Sequence, residues 1–171
     1  MLNICIKDEF LYIKSIDKTS IGQIYSIYRN ADHFKYATGI YYPIGYTQFS
    51  DNLYQFIKRE NVFFLDINMY SGEIIGMIKG MMVEKDNLVW INSLVIDIPY
   101  QSKGFGKMSV NLLENYFTQK YHLKRIYLSV SKNNVSGINF WLKCGFKECS
   151  NLPEMETVRL GENVKIMCKL L

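Results

Sequence analysis

The residues with the clearest chemical meaning lie between Ile91 and Phe117, where an apolar run, Ile91 to Ile96, is followed by Pro99, Gln101 and the glycines Gly104 and Gly106. A strand that stops before a glycine turn and a helix start leaves several backbone N–H groups unpaired and pointing one way, with the positive end of the helix dipole behind them. Such a cradle suits an anion, phosphate first among them. The spacing then selects among phosphate ligands. A nucleotide P-loop needs a glycine five positions before Gly106 and Ser or Thr after its lysine, and those places hold Gln101 and Met108. A dinucleotide fingerprint needs a third glycine where Ser109 stands.

The segment from Leu94 to Lys107, LVIDIPYQSKGFGK, instead resembles the acetyl-CoA motif of the GNAT superfamily of N-acetyltransferases, in which Gln or Arg, two residues, Gly, one residue, then Gly or Ala follow a hydrophobic strand. The segment from Asn134 to Phe146, NVSGINFWLKCGF, is similar to the family's second motif: an Asn, seven positions later an aromatic residue that is usually Tyr, then a Gly-Phe pair. The two motifs stand in the family's order, and the resemblance covers roughly residues 87–149. It implies an acetyl-CoA-dependent N-acetyltransferase that passes an acetyl group directly to a primary amine, on a small molecule or a peptide, without a metal. The fold it implies is α/β (α+β): one domain over residues 1–171, with a mixed, mostly antiparallel sheet of about seven strands, four helices, and central strands splayed to admit acetyl-CoA.

Site residues follow from the same resemblance. The pyrophosphate would sit on the amides of Ser102, Lys103, Gly104, Phe105, Gly106 and Lys107, with both glycines allowing close approach and Gln101 closing the turn. Lys103 and Lys107 would add positive charge. Backbone groups of Leu94, Val95 and Ile96 would bond the pantetheine arm, whose two amides resemble a peptide at a sheet edge. Asn134 and Trp141 share one helical face, with Gly137 between them leaving room for a ligand.

Two positions depart from the family pattern. Trp141 occupies the place of the usual proton-donating tyrosine; its indole N–H can donate a hydrogen bond but cannot release a proton at useful pH. The strand positions where several relatives carry a Glu or His base are Trp90 and Asn92 here. Glu84 is the candidate base, with Asp86 and Glu156 behind it; each reads otherwise as a solvated surface acid. These departures leave room for a second reading, an acyl-CoA-binding module without catalysis that reports CoA state to a partner.

Several elements must position these residues. Asn3 to Ile13 alternates like one or two short strands, and Thr19 starts a helix with Ile21, Ile24, Tyr25 and Tyr28 at helical spacing. His33 to Tyr46 reads as an aromatic loop able to wall a pocket, and Thr47 to Arg59 as a helix. Val62–Met69, Glu73–Val83 and a run ending at Ile96 read as consecutive antiparallel strands. Beyond Gly106 come a helix, a strand Arg125–Val130 parallel to the one before, and a helix from Asn134 to Lys143. Strands Glu156–Leu160 and Val164–Leu170 around the turn at Gly161 complete the chain.

At 171 residues and 49% hydrophobic, the chain can bury a substantial core. A net charge of +4 without charge blocks suits a phosphate-bearing ligand and is too mild to indicate nucleic acid. Cys5, Cys144, Cys149 and Cys168 lack zinc-site spacing and read as reduced, mostly buried thiols. The charged N-terminus does not read as a signal peptide and no apolar run reaches membrane-spanning length, so a soluble cytoplasmic monomer or homodimer is expected.

Overall fold

The computed structural model describes residues 1–149 and 163–171. Eight strands form one sheet: β1 (Cys5–Lys7), β2 (Leu11–Ser15), β3 (Val62–Met69), β4 (Ile74–Val83), β5 (Leu88–Ile96), β6 (Arg125–Ser131), β7 (Lys147–Glu148) and β8 (Val164–Leu170). Their spatial order is β1-β2-β3-β4-β5-β6-β8-β7. Neighbours pair antiparallel except β5 and β6, which pair parallel. Helices α1 (Ile21–Tyr28), α2 (Ala31–Thr38) and α3 (Tyr46–Ile57) lie between β2 and β3 in the chain, α4 (Phe105–Tyr121) joins β5 to β6, and α5 (Val135–Lys143) follows β6. The class agrees with expectation, with eight strands and five α-helices among the described residues in place of about seven and four.

Both faces of the sheet are covered, which explains why β3 is buried from Val62 through Asn68. One face packs Phe63, Leu65 and Ile67 against Val110, Leu113 and Phe117 of α4. The other packs Phe64 and Met77 against Ile24, Phe34, Phe49 and Leu53 of the first three helices.

The important irregularity is in β5. Its register against β4 slips between Lys79↔Ser93 and Gly80↔Ile91, so Asn92 is an extra residue. Strand side chains alternate, and one inserted residue inverts the phase. Val89 and Ile91 before the bulge, and Leu94 and Ile96 after it, therefore share the α4 face, while Val95 turns to the opposite core. Pairing with β6 also stops here, at Ile91↔Leu128. Beyond that point β5 stays with β4 and β6 stays with β8 through Ser131↔Val164, so the two central strands part.

Some details differ from the sequence reading. Helix α1 begins after Ser20 rather than Thr19. The stretch His33 to Tyr46, expected as an aromatic loop, holds most of α2, whose Ala31 and Phe34 are buried three residues apart and whose end is fixed by Gly39 at φ 73°, its N–H donating to the Lys35 carbonyl. Strand β7 is new; it lies against β8 at Lys147↔Cys168. That pairing carries Cys149 to Cys168, with Cα atoms 6.0 Å apart, and the two are disulfide-bonded, while Cys5 is exposed. Only Cys144 fits the expectation of a buried free thiol. The expected strand Glu156–Leu160 lies outside the described residues. Among the described residues no helix is long and apolar enough to cross a membrane.

Asp66 on β3 is fully buried; its Oδ1 accepts from Asn68 Nδ2 at 2.6 Å, and its Oδ2 has no hydrogen-bond donor. Burial raises its pKa above the usual carboxylate range. The folded state then holds this proton more tightly than the unfolded chain, so the contribution is present below the unfolded pKa and is lost as pH rises through the folded one. Asp66→Asn is expected to remove that loss, making the variant more stable than the parent at pH 8 and less advantaged at pH 4. Thermal melts at the two pH values check the sign.

Candidate active site

Where β5 and β6 part, the structure opens a cleft of about 670 Å³. Its walls come from α2, the distal half of β5, the turn before α4, the end of β6, and α5.

Asp97 turns the chain at the end of β5, its Oδ1 accepting from Ile98 N at 2.9 Å. Gln101 Nε2 then reaches back to the Ile96 carbonyl at 2.8 Å, tying the turn to the strand as expected of the residue that closes it. Ser102 at φ 59° and Gly104 at φ 90° flank Lys103, so the chain alternates in hand before α4 begins. That alternation turns successive N–H groups into one concavity. Among the described residues nothing accepts from the amides of Ser102 through Lys107; the first α4 bond beyond them runs from Met108 N to the Gly104 carbonyl at 3.0 Å. Four unpaired donors belong to any helix start, and here no side chain caps them, while Gly104, Gly106 and Lys107 line the cleft.

The two glycines do different work. A Cβ on Gly104 would meet nothing within 4 Å, so the requirement there is conformational, a positive φ that L residues resist. A Cβ on Gly106 would stand 3.0 Å from the Phe140 ring, so this glycine sets how closely α4 approaches α5. Ser102, Gly104, Gly106 and Lys107 line the cleft. Phe105 and Lys103 are outside its lining: Phe105 packs on the Tyr100 ring at 6.2 Å, and the Lys103 ammonium lies over the same ring at 5.5 Å.

On β5, Asp97 N donates to the Ile75 carbonyl at 2.8 Å, which fixes the alternation: Val95 and Asp97 direct their backbone groups toward β4, and Leu94 and Ile96 direct theirs away from it. Gln101 bonding the Ile96 carbonyl agrees with that phase. Leu94 and Ile96 therefore offer the open edge, while Val95 is committed to β4 through its backbone and to the core through its side chain.

On α5, Asn134 Oδ1 caps the helix, accepting from Gly137 N at 2.9 Å and from Ser136 Oγ at 3.1 Å. The volume that a Cβ at Gly137 would occupy is already filled by the Asn134 amide, so Gly137 makes room for this cap, and it also lines the cleft. Trp141 is 8% exposed, with Phe140 at 4.9 Å and Phe146 at 5.0 Å from its ring, and it lines the cleft. Cys144 lines it too, but burial and the nearby Glu114 carboxylate push its thiol up to about 11, which keeps it protonated. Glu114 itself is held by Lys169 at 2.7 Å, pinning α4 to β8.

Glu84 is misplaced as a base. It is exposed on a single turn, Glu84–Asp86, next to the start of β5, at the end where β5 and β6 are paired, whereas the cleft opens at the other end. Glu84 and Asp86 line a separate hollow instead. Glu156 lies outside the described residues. Among the described residues no carboxylate lines the cleft, and no group of three or more His, Cys, Asp or Glu could hold a metal ion. The lining does include His33 and Tyr36 of α2, which the sequence reading placed in a pocket wall without assigning either a role.

The pattern of the Acetyltransferase (GNAT) family matches residues 21–146. The chain belongs to this family. It is 34% identical over 84 residues to the spermine/spermidine N(1)-acetyltransferase of Bacillus subtilis (strain 168), a match covering 46% of this chain and 55% of that protein. The chain thus spans about half the length of the curated relatives it matches. In fold, this GNAT chain is similar to the spermidine N-acetyltransferase from Vibrio cholerae in complex with CoA and spermine, with a TM-score of 0.78 at 19% identity over 95% of this chain and 96% of that one. It is equally similar to RimL, a ribosomal L7/L12 alpha-N-protein acetyltransferase, with a TM-score of 0.80 at 11% identity over 100% of this chain and 96% of that one.

Proposed function

We propose that this GNAT chain transfers the acetyl group of acetyl-CoA directly to a primary amine. The observation that carries the reading is convergence: the turn with unpaired amides, of which Ser102, Gly104, Gly106 and Lys107 line the cleft, and the open edge at Leu94 and Ile96 border the same cleft. A diphosphate on the first would lay the pantetheine arm along the second, as a peptide adds to a sheet edge. Lys107 adds charge at the diphosphate, and the Asn134 amide group remains available beside it.

The acetyl carbonyl then lies toward the bulge at Asn92, where the Leu94 N–H is placed to hold the developing oxyanion. The amine enters from the α2 side and attacks the carbonyl carbon, and the thiolate leaves beside Trp141. An aliphatic ammonium of pKa about 10.4 costs roughly 4.6 kcal/mol to deprotonate at pH 7, whereas a thiol of pKa about 8.5 is a good leaving group. Proton removal from the amine is therefore the step that needs help, and protonation of sulfur by Trp141 is not required.

Which amine is accepted is the finer question. The polyamines named for the relatives make spermine and spermidine the first members of a test panel, beside monoamines and peptides with free N-termini. Release of free thiol from acetyl-CoA, followed with each amine, is expected to show turnover with at least one class. Tight acetyl-CoA binding with no turnover across the panel would replace the enzyme with a CoA-binding module.

A further inference from the structure

We infer that His33 is the residue that takes the proton from the attacking amine, an assignment that rests on the transfer reading above. The family resemblance points to strand positions for a base, and those positions hold Trp90 and Asn92, neither of which accepts a proton. Glu84 stands at the wrong end of β5. Among the described residues lining the cleft, the groups that exchange protons are His33, Tyr36, Tyr100, Lys107, Lys143 and Cys144. Tyrosine and lysine are protonated near neutrality, and the Cys144 thiol is held protonated by burial. Imidazole is the side chain that can be neutral, and hence an acceptor, in that range.

Placement supports the assignment independently of titration. Helix α2 is held over the parting strands: Phe34 is buried in the second core, and Ser93 Oγ, one residue past the bulge, donates to the Ala37 carbonyl. His33 and Ala37 are four residues apart and so lie on one face of α2. The hydrogen bond that fixes Ala37 beside β5 therefore also sets His33 on the cleft side, in a lining it shares with Leu94, and His33 is exposed. The ring lies 6.3 Å from that of Phe34.

A primary ammonium N–H bond breaks and its proton moves to an imidazole nitrogen of His33. The freed lone pair forms the N–C bond, the C–S bond breaks with its electron pair on sulfur, the second nitrogen proton reaches the thiolate through solvent, and His33 returns its proton to water. Asp32, Lys35 and Tyr36 are the charged and titratable groups of α2 itself, and Tyr25 and Tyr28 those of α1 packed against it, with Arg29 just past the end of α1. Tyr100, Lys107, Lys143 and Cys144 share the cleft, and β5 and β6 contribute only neutral groups there.

The test is the pH profile of kcat/KM for the best amine, measured by thiol release from pH 5.5 to 9 with the parent and with His33→Gln. With the base present, the rate should rise with pH and level off once imidazole is neutral. Without it only free amine reacts, so the rate should start roughly a hundredfold lower at pH 7 and keep rising through pH 9 with no plateau, and added imidazole should restore part of it. Acetyl-CoA affinity, measured by titration, should be unchanged, which separates this loss from misfolding. A plateau retained in His33→Gln overturns the role of His33 while the transfer reading stands. No turnover by the parent chain overturns both.

Discussion

A chain carrying Gly104→Val is expected to keep its fold and to bind acetyl-CoA about a hundredfold more weakly, a loss of roughly 2.7 kcal/mol. The residue sits at φ 90°, and no atom lies within 4 Å of the place its Cβ would occupy. Packing is therefore untouched. A β-branched residue held there costs on the order of 1–3 kcal/mol, and the backbone relieves it by rotating toward negative φ. That rotation swings the amides on either side out of the common concavity, which is the feature a diphosphate needs. Gly106→Val makes a useful contrast, because its Cβ would stand 3.0 Å from the Phe140 ring and the damage would fall on stability as well as binding. Titration of each variant with acetyl-CoA, paired with a thermal melt, distinguishes the two.

Trp141→Ala is expected to cost about 3–5 kcal/mol of folding stability, the range for emptying a buried aromatic site, whereas Trp141→Phe should keep kcat within about threefold of the parent. The indole is 8% exposed between Phe140 and Phe146, so truncation opens a cavity in the core beneath the cleft. Among the described residues nothing accepts from its N–H, so the phenylalanine variant removes no internal hydrogen bond. Denaturant unfolding and thiol-release rates on the same samples decide between packing and proton donation; a fall in kcat of a hundredfold in Trp141→Phe with stability intact would return a chemical role to the indole.

The cradle was legible in the sequence because its signals are local. Gln101, Gly104 and Gly106 announce a turn and a helix start by spacing alone, and Gln101 does bond the end of the strand. What each glycine does was not legible: a positive φ at Gly104 and a close ring at Gly106 look the same in one dimension. Gly137 shows the same limit, since the space it leaves is filled by the Asn134 side chain three positions away. Helix α2 is hidden in the sequence because only Ala31 and Phe34 of its eight residues are buried, too few to print a helical period. Glu84 is remote from the cleft for a topological reason. Closeness to β5 in sequence says nothing about which end of the strand opens, and that depends on a bulge at Asn92 that becomes visible only when Lys79 and Gly80 are seen to skip a partner. His33 was within a stretch suspected of walling a pocket, but a lone histidine carries no signal until Ser93 is found tethering its helix to the strand.

The position of the bound coenzyme tests the role of the cleft most directly. A crystal grown with acetyl-CoA should show the diphosphate within hydrogen-bond distance of the amides between Ser102 and Lys107, the arm bonded to Leu94 and Ile96, and the thioester facing α2. Coenzyme bound anywhere else, or density in that cleft with those amides turned away from the phosphates, would contradict it.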